Sequence, residues 1–112
     1  MSKKRTPRLL TAGELEMIAG RFKMLGEPMR LKILQAVCKA PRTVGDIVAA
    51  TGSTQANVSK HLATLVAAGM IGRRKEGLNA YYFISDPQVF ELCDLMCHRL
   101  EQEFAAKKSP FQ

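Results

Sequence analysis

The chain has 112 residues, 46% of them hydrophobic and 24% charged, and its 17 Lys and Arg against 10 Asp and Glu leave a formal net charge of +7. That length suits one domain around a single core and excludes a TIM barrel or a doubly wound dinucleotide-binding domain, while the lack of a long apolar run excludes a membrane span. An excess of cations this large points to an anionic partner. The basic start MSKKRTPR has no apolar stretch behind it, so no secretory signal is expected and the protein is expected to be cytoplasmic. In that setting three cysteines read as thiols and not as a disulfide framework.

Residues 1–10 form a basic arm that carries Lys3, Lys4, Arg5 and Arg8; it either adds nonspecific affinity or serves as a solubilising tail. Residues 11–107 form the domain, and 108–112 a short tail. From Thr11 the apolar positions Leu15, Ile18, Ala19, Phe22 and Leu25 recur at the spacing of one helix face, with Gly26 as a stop. Pro28 opens a second helix, where a missing N–H costs nothing, and Leu31, Ile33, Leu34, Val37 and Cys38 fill its inner side until Pro41. A third, short helix spans about 43–51, with Val44, Ile47 and Val48 inward and Gly52 just past its end. The fourth is capped by Ser53 or Thr54, keeps the period through Val58, Leu62, Leu65 and Val66, and closes at Gly69. Two helices separated by about three residues that include a glycine are the signature of a helix-turn-helix.

After Gly69 the period changes to two. Arg73-Arg74-Lys75, a turn at Glu76-Gly77-Leu78-Asn79 and the run Ala80-Tyr81-Tyr82-Phe83-Ile84 predict a small hairpin. Asp86-Pro87 starts a last helix whose stripe is Val89, Cys93, Met96, Cys97, Leu100 and Phe104. That stripe is too apolar to face water, so the first and last helices are expected to pair across a two-fold dimer. The predicted fold is mainly α with a small β-hairpin.

In this order and spacing the chain resembles the winged-helix repressors of the ArsR/SmtB family over about Phe22 to Glu103. LGEPMRLKIL is similar to the family's second-helix opening. TVGDIVAATGSTQANVSKHLATLVAAGMI is similar to its helix-turn-helix, with Asp46, Gln55, Val58, Ser59, His61, Leu62 and Leu65 in the matching places, and RRKEGLNAYYFISD to its wing. The resemblance implies a homodimer seated on a palindromic duplex-DNA operator and released by an inducer. No enzymatic role is expected, because no cysteine has the His, Asp or Asn neighbours that would activate a nucleophile.

The second helix of a helix-turn-helix meets base edges with its N-terminal residues, which makes Thr54, Gln55, Asn57, Ser59, Lys60 and His61 the candidate DNA contacts. Gln55 and Asn57 have the amides that can pair with both N6 and N7 of adenine; Lys60 suits phosphate. His61 reads equally as a contact or as a locally packed side chain. In the wing, Arg73, Arg74 and Lys75 cannot all point one way, so one or two are expected to reach DNA. Tyr81 and Tyr82 either touch backbone or pack in the sheet.

Cys93 and Cys97 lie four apart on one helical face, so their thiols can share a thiophilic metal(loid) ion such as As(III) or take part in a reversible cysteine modification, with Cys38 as a third candidate sensing thiol. The competing reading is that all three are small core-packing residues and the regulator has no ligand site. No cofactor is certain from the sequence. Where the family's arsenic and cadmium sensors carry Cys-Val-Cys-Asp, this chain has Thr43-Val44-Gly45-Asp46. Where its zinc sensors begin Asp-x-His, it has Asp86-Pro87-Gln88, with Arg99 and Gln102 at the later ligand places. Neither of those sites is therefore expected. Cys38 with Cys93 or Cys97 resembles the layout of the members that sense persulfide or oxidants. His98 reads as a surface residue.

Overall fold

A computed structural model describes residues 8–107; Lys3, Lys4 and Arg5 of the arm and the tail 108–112 lie outside the described residues. Five helices and one hairpin follow the predicted order: α1 (Ala12–Leu25), α2 (Pro28–Val37), α3 (Val44–Thr51), α4 (Gln55–Ala67), β1 (Ile71–Glu76), β2 (Asn79–Ile84) and α5 (Pro87–Lys107). No helix is long and apolar enough to cross a membrane among the described residues. The architecture is a winged helix-turn-helix.

Local chemistry sets each boundary. Thr11 and Thr43 close capping boxes with Glu14 and Asp46, each hydroxyl accepting the third residue's N–H while the carboxylate accepts the threonine N–H. Arg8 donates two hydrogen bonds to Glu14, so this residue of the arm is tied back to the start of α1, and its guanidinium holds the Glu14 carboxyl below the usual carboxylate range. Glu27 caps α2 through a 2.7 Å bond from the Met29 N–H, with Pro28 at the first helical position. Gly52 ends α3 at φ 72°, a left-handed conformation that a side chain resists, and the chain can then enter α4 after only two further residues. Replacing Thr43 by Ala removes the cap oxygen and is expected to cost about 1 kcal/mol. The check is the urea unfolding midpoint, which an irrelevant cap would leave in place.

One core holds these elements. Ile33, Leu34 and Val37 of α2, Ile47 of α3, Val58, Leu62 and Leu65 of α4, Met70, Ile71 and Val89 are all buried. Leu31, expected inward, is 42% exposed. The buried phase of α2 runs through positions 30, 33, 34 and 37, and Leu31 lies about 100° from Arg30, off that stripe. Most of α1 and of α5 is left uncovered within the subunit: α1 buries no residue fully and packs only through Met24 and Leu25 at its end, and α5 buries only Val89, with Cys93 half-buried against the core. Phe22, Leu95, Leu100 and Phe104 stand out from these two helices between 48 and 66% exposed.

The hairpin is antiparallel, with Arg73 opposite Tyr82 and Lys75 opposite Ala80, and a two-residue Gly77-Leu78 tip. The Phe83 ring lies across Gly72, where a Cβ would come within 2.5 Å of it. A third segment beside the two strands was not visible in the sequence: Arg42 and Tyr82 exchange two backbone hydrogen bonds, of 2.9 and 2.7 Å, just before α3. The wing is thereby pinned to the start of the helix-turn-helix.

Candidate nucleic-acid interface

In α4 the buried residues Val58, His61, Leu62 and Leu65 occupy one side. The helical period turns Ala56, Ser59, Lys60, Ala63 and Ala67 to the opposite side, and all five are exposed. Thr54 caps the helix by accepting the Asn57 N–H at 3.1 Å, and Gln55 is exposed in its first turn. That turn contains no acidic residue, so the positive end of the helix dipole is left for an external anion. Thr54, Gln55, Ser59 and Lys60 are therefore all exposed.

Two candidates sit differently. Asn57 is half-buried, and its amide donates to the Ser53 hydroxyl at 2.9 Å, which organises the turn between α3 and α4. His61, read from the sequence either as a groove contact or as a locally packed side chain, takes the packed position. It is 5% exposed, the one buried polar residue among those described, and both ring nitrogens face protein groups: Nδ1 accepts from Arg30 Nε at 3.3 Å, and Nε2 lies 3.6 Å from Glu27. Its phase in α4 is that of Val58 and Leu65, three residues before and four after it, so it faces the core.

The wing meets α4 along a shallow groove lined by Ser59, Ala63, Val66, Ala67, Arg73 and Tyr82. Arg73 donates to the Tyr82 hydroxyl at 3.2 Å there, which places a guanidinium beside the outward side of α4. Tyr82 is half-buried and packs against the core while its hydroxyl orients Arg73. Arg74 points to the other face of the strand, where it pairs with Glu76 and lies 5.7 Å over the Phe83 ring. Lys75 returns to the Arg73 face and is exposed. Sequence reasoning missed Leu78, wholly exposed at the wing tip, and the alanines at the centre of the outward side of α4, small groups that suit apolar contact with thymine methyls. The phase of α4 was the signal that could have found those alanines.

Cys38 caps the C-terminus of α2 and is half-buried, Cys93 is half-buried, and Cys97 is exposed; all three are free. Burial pushes the Cys93 thiol up, and the thiols of Cys97 and Cys38 add to the effect. Among the described residues no group of three or more His, Cys, Asp or Glu side chains is placed to hold a metal ion. Cys93 and Cys97 therefore offer at most a two-thiol site within one subunit. His98 is on the surface, 3.9 Å from Glu101.

Residues 27–72 match the family described as "Bacterial regulatory protein, arsR family". The chain is 38% identical over 71 residues to the probable mercury resistance operon repressor of Streptomyces lividans, covering 63% of this chain but only 57% of that relative's length. It is 32% identical over 89 residues to the cadmium resistance transcriptional regulatory protein CadC of Listeria innocua, covering 79% of this chain and 75% of that one. The fold superposes with a TM-score of 0.74 on the homodimeric winged helix-turn-helix DNA-binding domain of a possible ArsR-family regulator from Mycobacterium bovis, at 30% identity and covering 83% and 86% of the two chains. Its sequence, its fold and the placement of its helix-turn-helix and wing agree: the chain belongs to the arsR family of bacterial regulatory proteins.

Proposed function

We propose that the chain is a homodimeric transcriptional repressor that binds a palindromic duplex operator and is released by a thiophilic inducer. The observation that carries this reading is the single surface on which α4 presents Gln55, Ser59 and Lys60 beside the wing's Arg73. Gln55 reads base edges, Lys60 and Arg73 engage phosphates, and Ser59 serves either. Two such surfaces related by a two-fold axis read two half-sites, and the apolar faces of α1 and α5 supply the join between copies.

The inducer is received at Cys93 and Cys97, with Cys38 nearby. Mercury and cadmium in the names of two relatives support a thiophile. With a two-thiol set in each subunit, As(III), Cd(II) or Zn(II) would need a further ligand from beyond this pair, whereas linear two-coordinate Hg(II), or a persulfide or oxidant that modifies the thiols, needs none. Modification in α5, beside the dimer-forming face, changes the angle between the two α4 helices and so the half-site spacing they fit. The half-burial of Cys93 against the core favours a second reading, in which the cysteines only pack and the regulator has no inducer.

The test is release from a duplex selected by the protein out of a random pool, challenged with As(III), Hg(II), Cd(II), Zn(II), persulfide and peroxide. Wild type is expected to dissociate with at least one thiophile, and the double variant Cys93→Ser, Cys97→Ser to bind the duplex equally well and stay bound. Equal release of both proteins would return the cysteines to packing.

A further inference from the structure

His61 stands in the middle of a directional polar chain. Arg30 Nη1 donates to the carbonyl of Met24, in the last turn of α1, at 3.2 Å, and Arg30 Nε donates to His61 Nδ1. An accepting Nδ1 requires the neutral ring to carry its proton on Nε2, which faces the Glu27 carboxylate at 3.6 Å. Glu27 is itself fixed as the α2 cap through its other oxygen. The chain therefore runs from the end of α1, through the first turn of α2, to the middle of α4, and it engages both ring nitrogens of the one buried polar residue among those described.

Apolar packing of Val58, Leu62 and Leu65 holds α4 on the core but is non-directional, and it tolerates small rotations and slips of a helix. Hydrogen bonds that must all be satisfied in a buried site allow one azimuth and one register. We infer that His61 is a positioning residue for DNA reading: its hydrogen bond from Arg30 and its 3.6 Å contact with the Glu27 carboxylate set the rotation of α4 against the α1–α2 corner. Gln55, Ser59 and Lys60 then arrive at the groove in register with the partner subunit's recognition helix. The inference rests on the DNA-reading role of α4 proposed above. His61 acts through those residues and touches no base.

The experiment uses the full chain, a duplex selected by the wild type from a random pool, and a scrambled duplex of the same composition. His61→Leu fills the space and removes both the Arg30 hydrogen bond and the Glu27 contact. Its affinity for the selected duplex is expected to fall about tenfold, the scale of one lost base contact, and its affinity for the scrambled duplex to stay within about twofold. His61→Gln, which can accept from Arg30 and donate to Glu27, is expected to retain the wild-type preference within about threefold. Arg30→Met cuts the same chain from α2; it is measured alongside, and it decides the question if the Leu variant does not fold. Circular dichroism melts report stability separately.

A Leu or Met variant that is less stable but keeps the wild-type ratio of selected to scrambled binding overturns the inference, as does a Gln variant that loses the ratio as fully as Leu. If the wild type enriches no sequence from the pool, the DNA-reading role itself falls and takes the inference with it.

Discussion

Leu100→Glu is expected to convert the protein to a monomer and to remove operator binding at protein concentrations where the wild type is bound. Leu100 lies on the apolar stripe of α5 and is 48% exposed in the subunit, close to Phe104 one turn on, which is 56% exposed. Phe22 of α1 is as open, at 57%. Side chains of this size do not stand in rows on a monomer's surface without a partner. In an isologous dimer each substitution counts twice, because the same patch is used by both copies. An unpaired carboxylate buried in such an interface costs several kcal/mol, so the dimer is expected to weaken by about a thousandfold or more. A monomer presents one α4 to the proposed two-half-site operator and loses half of the contacts. Sedimentation equilibrium and a binding titration on the same sample check both parts. A Glu variant that remains dimeric at micromolar concentration would move the join away from this stripe.

Much of this architecture is legible in the residue order, and the exceptions share a physical cause. The helices of the helix-turn-helix are visible because Val58, Leu62 and Leu65 repeat at the helical period and because Thr43, Gly52 and Thr54 mark the ends by chemistry that acts within a few residues. The hairpin is visible through the change of period at Gly69. His61 escapes that reading because residue type and phase disagree: imidazole suggests a surface contact, whereas its position three after Val58 and four before Leu65 places it inward. Arg30 and Leu31 show the same conflict in reverse. The arginine lies on the inner phase of α2 and reaches His61, while the leucine beside it is turned outward.

Long-range pairs leave weaker traces. The Arg42–Tyr82 exchange consists of two backbone hydrogen bonds at one position, too short for any period to announce. The α5 stripe is obvious in sequence, but only Val89 is buried within the subunit. Apolar periodicity says that a face must be covered and does not say by which chain.

The division of labour on α4 is expected to appear when Gln55→Ala and Lys60→Ala are compared on selected and scrambled duplexes over a range of salt. Gln55 is exposed in the first turn, and its amide can donate and accept at once, the pattern that adenine presents in the major groove. Removing it is expected to cost about 1–3 kcal/mol on the selected duplex, or roughly 5- to 150-fold, and almost nothing on the scrambled one. Lys60 has a compact charge on a flexible stem and lies on the outward side one turn further on, where it suits phosphate. Its loss is expected to weaken both duplexes alike and to lower the slope of log affinity against log salt by about one for each copy that contacts phosphate. Asn57, in contrast, holds Ser53 with its amide, so Asn57→Ala is expected to loosen the turn between α3 and α4 as well as any base contact it makes. Gln55→Ala with equal losses on both duplexes would defeat the readout role, because a side chain that senses only charge and shape cannot distinguish the two.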